Sequence, residues 1–467
     1  MEVLCVSSKR IVIIGAGPGG YVAAAHAAHR GAAVTLIEKK AIGGTCLNVG
    51  CIPTKVLLHT AELLTELKTE AKRIGVVTEN TRLDWDALLK RKSMTVSRLQ
   101  KGTRSLMDAN GVQYIEGCAS IRDPRTVTVN GTDIEADAII IATGSVPDVP
   151  DLPGYDLEGV ITSDEALSLP AVLASMVISG GGIIGMEFAA AYAAFGTKVS
   201  VVVTSPQVLR NLDEDVAVIL RKNLEKRGVT FYTGASITKA ERAGEMLKLE
   251  MSAPDGVTEL EAEKFLVAKG RKPFTEGLGL EASGVEIRRG RIVTDAHMET
   301  TVKGIYAIGD CVNRYMLAHV ASREGEVAVD NIMGVVTEMD YTTTPGAIYT
   351  SPEIATVGLS EKEAAEQGRA VNVGRFPLMM NGKSMITGDT SGMIKIMADR
   401  DTKQILGVAM VGGPATDMIA EAALALHFKA TPEDLLNTIH AHPTVAEAVA
   451  EAADNVFGLG IHTPPRS

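Results

Sequence analysis

The sequence predicts an α/β protein: two doubly wound parallel-sheet domains and, after them, a smaller α+β domain. Three observations carry this. A strand, a glycine-rich loop and a helix follow one another at the start of the chain, and the same order recurs near residue 176. From residue 341 the pattern changes to β-branched strands alternating with two helices. At 467 residues the chain is too long for one ordinary core, and roughly three domains is the fair expectation.

Residues 10–15, RIVIIG, read as a buried parallel strand. The loop Gly15-Ala16-Gly17-Pro18-Gly19-Gly20 follows, then an Ala-rich helix over 21–30 and a strand over 33–38. Gly15 makes the turn, Gly17 lets a pyrophosphate approach the backbone, and Gly20 lets helix and strand pack closely. Glu38 ends the second strand, where a carboxylate accepts hydrogen bonds from a ribose hydroxyl. The glycine pattern alone is a weak signal; in this context, with the acid, it specifies a dinucleotide site.

Next comes GGTCLNVGCIPTK, residues 43–55, with Cys46 and Cys51 five positions apart. In a regular helix such residues have Cα atoms roughly 8.7 Å apart, whereas a disulfide wants roughly 4.4–6.8 Å. An undistorted helix cannot close the bridge, but Asn48 and Gly50 let the backbone leave helical geometry. The pair reads either as a strained, accessible redox couple or as two buried cysteines in a small-residue turn.

Helices are expected over 56–74 and 83–110, and strands over 113–116, 126–129 and 138–142. The last strand runs into Ala142-Thr143-Gly144, and Pro147, Pro150 and Pro153 mark a linker. The second dinucleotide unit places a strand over 176–180, the loop Gly180-Gly181-Gly182-Ile183-Ile184-Gly185, a helix over 186–195 and a strand over 198–203. Two nucleotides are therefore implied. Glu38 lies 23 positions after Gly15, and the same step from Gly180 lands on Val203, which is no acid. Arg210 lies just beyond and suits a 2′-phosphate, so NAD is favoured without being strictly specified. Glu187, two residues after Gly185, reads as a helix-dipole acid or as a functional carboxylate.

Residues 267–273, VAKGRKP, end the second unit at Gly270, and IYAIGD, 305–310, is an apolar strand closing on Gly309-Asp310. MLAH, 316–319, then opens a helix at Ala318. The last domain has strands over 354–358, 369–376, 393–398 and 405–411 and helices over 415–427 and 444–453. It contains His440-Ala441-His442-Pro443-Thr444, with Glu447 five residues after His442. A helix-opening Pro443 leaves His442 exposed. A bend there would let Glu447 orient one ring nitrogen and make a poised base; otherwise the two are surface helix residues.

Composition excludes several classes. The net charge of −11 disfavours nucleic acid. Five cysteines, sparse and odd in number, form no secreted disulfide framework, and no Cys/His spacing suggests a metal site. No apolar run of about 18 residues marks a membrane span, and the short start before the first strand leaves no room for a signal peptide. A cytoplasmic protein is expected, where a cysteine pair is more often catalytic than structural.

The Cys46–Cys51 segment, both glycine loops, the Ala-Thr-Gly turn, the Gly-Asp strand end and the His-Pro-Glu constellation resemble the two-cysteine pyridine-nucleotide disulfide oxidoreductases nearly end to end. The resemblance implies an FAD-binding domain at 1–150, an NAD-binding domain at 151–272, a return to the first domain at 273–340 and a dimer-interface domain at 341–467. Gly15, Gly17, Gly20, Glu38, Lys55, Thr143, Gly144, Asp310 and Ala318 would face tightly bound, non-covalent FAD. Gly180, Gly182, Gly185, Val203 and Gly270 would face NAD.

The resemblance further implies that Cys46 exchanges with substrate and that Cys51 is the thiolate beside the flavin. Lys55 and Glu187 would pair near the nicotinamide, and His442 with Glu447 would serve as base across a homodimer. The implied substrate is dihydrolipoamide carried by a lipoylated protein of a 2-oxoacid dehydrogenase or glycine cleavage complex. A glutathione-type reductase using NADPH and a non-catalytic docking subunit are the alternatives. Thioredoxin- or mercuric-type reductases would need a second cysteine pair after Gly458, which is missing.

Overall fold

Strand Arg10–Ile14 sits at the centre of a five-stranded parallel sheet, ordered Ile305–Ala307, Ala138–Ile141, Arg10–Ile14, Ala33–Glu38, Gln113–Glu116. Apart from residues at its ends it is buried on both faces, which is why its sequence is continuously apolar rather than alternating. In a computed structural model the chain is described over residues 8–312 and 315–464. Cys5 lies outside the described residues.

A second parallel sheet repeats this plan around Ser175–Ser179. Its order is Thr230–Thr233, Lys198–Val203, Ser175–Ser179, Lys264–Val267, Val160–Ile161. The repeat goes deeper than the glycine loops. In the first unit an antiparallel meander, Ala119–Asp123, Thr126–Val129 and Thr132–Glu135, carries the chain to the strand beside the central one. In the second unit the meander Ser236–Ala243, Met246–Ala253 and Gly256–Ala262 does the same. Ser145–Pro147 pairs antiparallel with Arg271–Pro273, so the outgoing and returning chains between the two units run side by side.

The last sheet is antiparallel, Gly346–Ile348, Ile354–Gly358, Ile405–Val411, Met393–Asp399, Val371–Pro377. Helices Ala415–His427 and Glu447–Asn455 pack against it through a common apolar core. Lys395, on this sheet and buried, reaches the second unit: its Nζ lies 2.6 Å from Asp213, 2.8 Å from Asp215 and 3.0 Å from Glu361. Those three carboxylates are close enough together to suggest a cation, and the charges they hold are this ammonium and the Arg375 guanidinium, which pairs with Asp215 and Glu361.

Element ends shift from expectation for local reasons. The first long helix begins at Cys51 rather than 56, because Pro53 falls in the first turn, where no backbone donor is needed. The helix after the second glycine loop begins at Ile183, so Glu187 stands just past its first turn. The last helix begins at Glu447, not 444: Thr444 N–H donates to the Glu447 carboxylate and Thr444 Oγ1 to Ala441 O. These side-chain bonds hold the entry in a turn, so Pro443 precedes the helix instead of opening it. Among the described residues no helix is long and apolar enough to cross a membrane.

Candidate active site

Both glycine loops are built by the same backbone collisions. A Cβ on Gly15 would lie 2.3 Å from Ala142 O, and one on Gly180 would lie 2.1 Å from Ala268 O. Both residues have positive φ, +107° and +131°. A Cβ on Gly20 would meet Gly15 O at 1.8 Å, and one on Gly185 would meet Gly180 O at 2.1 Å. Gly20 and Gly185 thus act in helix–strand packing and do not line the cavity below, whereas Gly15, Gly17, Gly180 and Gly182 do.

Gly17 and Gly182 cap helices Pro18–His29 and Ile183–Phe195 without a side-chain bond. The free N–H groups and positive dipole ends of both helices open on one cavity of about 1390 Å³. A Cβ on Gly182 would meet nothing within 4 Å, and a Cβ on Gly44 would stand 2.6 Å from Gly17 Cα, so residue 44 must be glycine for the chain to pass this close. Two anion-binding helix mouths with bare backbone around them fit two dinucleotides.

The other expected contacts gather along the same cavity: Glu38, Lys55, Gly144, Asp310, Ala318, Val203 and Gly270 all line it. Glu38 accepts from Ala16 N at 2.8 Å and Lys40 N at 2.9 Å, which fixes the carboxylate and leaves lone pairs for a ribose. Thr143 also lines the cavity but donates its hydroxyl to Phe274 O at 2.6 Å, so its bond braces the returning chain.

Asp310 is held by a network that sequence reasoning missed. Ser145 Oγ donates to Asp310 Oδ2 at 2.5 Å, and Arg271 Nε donates to Ser145 Oγ at 2.8 Å. Glu324, fully buried, accepts from Gly309 N at 2.6 Å and fixes the turn that carries Asp310. These residues lie more than 120 positions apart, or inside a helix with no motif, so no local pattern announced them.

The helix breaks between the two cysteines. Helix Gly44–Val49 ends at Gly50, whose φ and ψ are −141° and −119°, and helix Cys51–Thr69 starts immediately. A Cβ on Gly50 would stand 2.8 Å from Thr45 O and 3.1 Å from Cys46 Cα. Glycine at 50 is what lets the two segments fold close enough for the sulfurs to meet. Both are thiols here, hydrogen-bonded to each other.

The two thiols are unequal. The Cys46 hydrogen bond draws Cys51 down to about 7, against the opposing effect of burial and with help from the Lys55 ammonium. Cys46 moves up, first through its bond to Cys51 and then through burial. Lys55 Nζ donates to both oxygens of Glu187 at 2.9 Å, and Glu187 is only 4% exposed. The first and second units therefore meet at this ion pair, beside Cys51.

His442 and Glu447 do not line this cavity. His442 Nδ1 lies 2.8 Å from Glu447 Oε1, and the imidazole is 79% exposed with Nε2 turned to no partner among the described residues. Burial works to raise the Glu447 carboxyl, but the Thr444 N–H and His442 outweigh it and the net shift is downward. His440 has both ring nitrogens engaged, with Thr438 O and Glu421. His319 Nε2 lies 2.9 Å from Pro345 O.

Val203 ends its strand, and its methyl groups pack on Gly181, where an added Cβ would meet them at 2.8 Å. Gly181 N is the counterpart of Ala16 N, which Glu38 engages in the first unit. A Val203→Glu carboxylate would reach the same kind of donor and accept from a free 2′-hydroxyl, while repelling a 2′-phosphate. The ratio of kcat/KM for NAD over NADP should rise about tenfold, the value of one charge-assisted hydrogen bond. An unchanged ratio would mean that the adenosine end is read elsewhere, at Arg210 first.

A family model described as pyridine nucleotide-disulphide oxidoreductase matches residues 9–325, and the dimerisation domain of that family matches residues 344–453. The dihydrolipoyl dehydrogenase of Bacillus subtilis (strain 168) is 40% identical over 470 residues, covering 97% of this chain and 98% of its own. The mitochondrial dihydrolipoyl dehydrogenase of Pisum sativum is 39% identical over 463 residues, covering 97% of this chain and 92% of its own. The crystal structure of LpdA from Mycobacterium tuberculosis has a TM-score of 0.88 at 29% identity, covering 95% of this chain and 99% of that one.

Proposed function

We propose a function from the premise that this chain belongs to the pyridine nucleotide-disulphide oxidoreductase family: it is a dihydrolipoyl dehydrogenase that uses FAD and NAD. The observation that carries the reading is the unequal dithiol at Gly50, beside the Lys55–Glu187 pair, in one cavity shared by both glycine loops.

The roles of the cysteines follow from their inequality. In thiol–disulfide exchange the thiol with the lower pKa leaves faster. In the oxidised enzyme, a substrate thiolate therefore attacks Cys46 Sγ, the Cys46–Cys51 bond breaks, and Cys51 departs as a thiolate stabilised by Lys55. The second substrate thiol then attacks the sulfur joined to Cys46, closing the lipoamide disulfide and freeing Cys46. His442 takes the proton from the attacking thiol, held by Glu447 through Nδ1 so that Nε2 faces outward. The residues of the first glycine loop, Glu38 and Asp310 would hold FAD, which would supply the two-electron path from the dithiol to NAD.

The third domain belongs to a dimerisation domain family, and the dyad stands apart from the cavity of its own chain. We therefore place His442 and Glu447 in the active site of a partner copy within a homodimer. A lipoylated protein of a 2-oxoacid dehydrogenase or glycine cleavage complex would bring the substrate, and the cytoplasm is the compartment we assign.

The test is anaerobic mixing of holoenzyme with dihydrolipoamide and NAD, following NADH. Dihydrolipoamide should yield NADH at a rate far above reduced glutathione. Preference for glutathione with NADP would move the chain to a glutathione-type reductase.

A further inference from the structure

Sequence reasoning gave Tyr349 no role, yet it is the point where the third domain touches the redox site. It follows strand Gly346–Ile348 directly and lines the shared cavity. Its backbone N–H donates to Glu187 Oε1 at 3.0 Å. Its ring lies under the Lys55 ammonium, with Nζ 4.5 Å from the ring centroid. Lys55 comes from the first unit, Glu187 from the second and Tyr349 from the third, so the ion pair beside Cys51 is assembled from all three.

We propose that Tyr349 is a positioning residue for the thiol chemistry: its amide anchors Glu187 and its ring covers Lys55, which holds the ammonium in its place beside Cys51. The physical argument is dielectric. An aromatic face attracts a cation and displaces water from it. A charge that keeps less water acts more strongly on its neighbours. Taking away the ring hydrates Lys55 and weakens its pull on the thiolate. The groups facing Cys51 are Cys46 from the preceding helix, Lys55 from its own helix, Glu187 from the second unit and Tyr349 from the third. Glu353 faces Tyr349 from the same loop. Of these, Cys46 favours the thiolate most, through its hydrogen bond, and Lys55 is the one cation, so with Cys46 replaced the thiolate depends on how well that charge is held. Burial raises the Tyr349 phenol and Lys55 opposes the rise, which fits a ring that stays neutral over its cation.

The proposal rests on Cys51 being the low-pKa thiol of the proposed reaction, but its test needs no dihydrolipoamide turnover and fails separately from that reading. Flavin-loaded protein in a Cys46→Ser background is alkylated with iodoacetamide across a pH series, and modification of Cys51 is read by mass spectrometry. Tyr349→Leu should move the midpoint upward by about half a pH unit, the equivalent of one cation–π contact. Tyr349→Phe keeps the ring and should leave the midpoint in place. In a Lys55→Met background Tyr349→Leu should add no shift. If Tyr349→Leu does not hold flavin, Tyr349→Met takes its place. An unmoved midpoint with Leu or Met, an equal shift with Phe, or a shift that survives Lys55→Met each overturns the proposal.

Discussion

Cys46→Ser protein should oxidise dihydrolipoamide at no measurable rate and still carry its flavin. The hydroxyl cannot form the disulfide that the substrate must attack, and no other described cysteine stands in for it. Cys311 is fully buried, and burial pushes its thiol up to about 12. Cys118 is exposed and also lines the cavity, but it lies after strand Gln113–Glu116, away from the Gly50 break, and is not part of the thiol pair there. The residues proposed to face the flavin, from the glycine loop and Glu38 to the Asp310 network, do not include Cys46, so retention of colour should match the parent protein. Cys51→Ser should lose turnover equally, and it also removes the thiolate. The two thiols should differ in pH dependence before any substrate is added. With Cys51 near 7 and Cys46 raised, iodoacetamide at neutral pH should label Cys51 in the reduced protein and leave Cys46 largely unmodified. Cys118→Ser should be silent in turnover. Lipoamide turnover at the parent rate in Cys46→Ser would end the disulfide reading.

What could be read beforehand and what could not have a physical basis. Gly15, Gly20, Gly180 and Gly185 were legible because each stands where a Cβ would strike backbone within its own loop or the next strand. Such a demand is written locally. The five-residue spacing of Cys46 and Cys51 was legible for the same reason: a regular helix cannot close it, and the break at Gly50 resolves it. The His442–Glu447 contact needed a bend at Pro443, and the turn held by Thr444 supplies it. By contrast, Ser145, Arg271, Glu324 and Tyr349 act through partners far away in sequence. A polar residue at a strand end has no periodicity that distinguishes a ligand clamp from solvent exposure. The antiparallel meanders were also missed in part, because strands such as Thr132–Glu135 are four residues long and largely exposed, with too little apolar alternation to register.

His442→Gln should lose dihydrolipoamide oxidation by about 10²–10⁴-fold, the usual contribution of a positioned base, and keep most of its NADH-to-dye activity. The separation follows from geometry. The imidazole is exposed, outside the cavity that joins the two glycine loops, and its one bond among the described residues is to Glu447. Hydride exchange between nicotinamide and flavin needs no proton acceptor at that place, whereas a thiol with a pKa well above neutral must lose its proton to attack Cys46. Glu447→Gln should show a milder loss of the same kind. The single amide oxygen can accept from Nδ1–H or from Thr444 N but not from both, since the two now bind different carboxylate oxygens, so the base is still present but less well oriented and has lost the charge beside it. If the base and the disulfide of one site come from different subunits, two inactive proteins should complement. A heterodimer of His442→Gln and Cys46→Ser protomers holds one site with both defects and one with an intact disulfide and an intact base. Activity should therefore return to about half that of the parent dimer. Equal loss of dye reduction and lipoamide turnover in His442→Gln would remove the dyad from the thiol half-reaction. Verified heterodimers without activity would return the base to its own subunit.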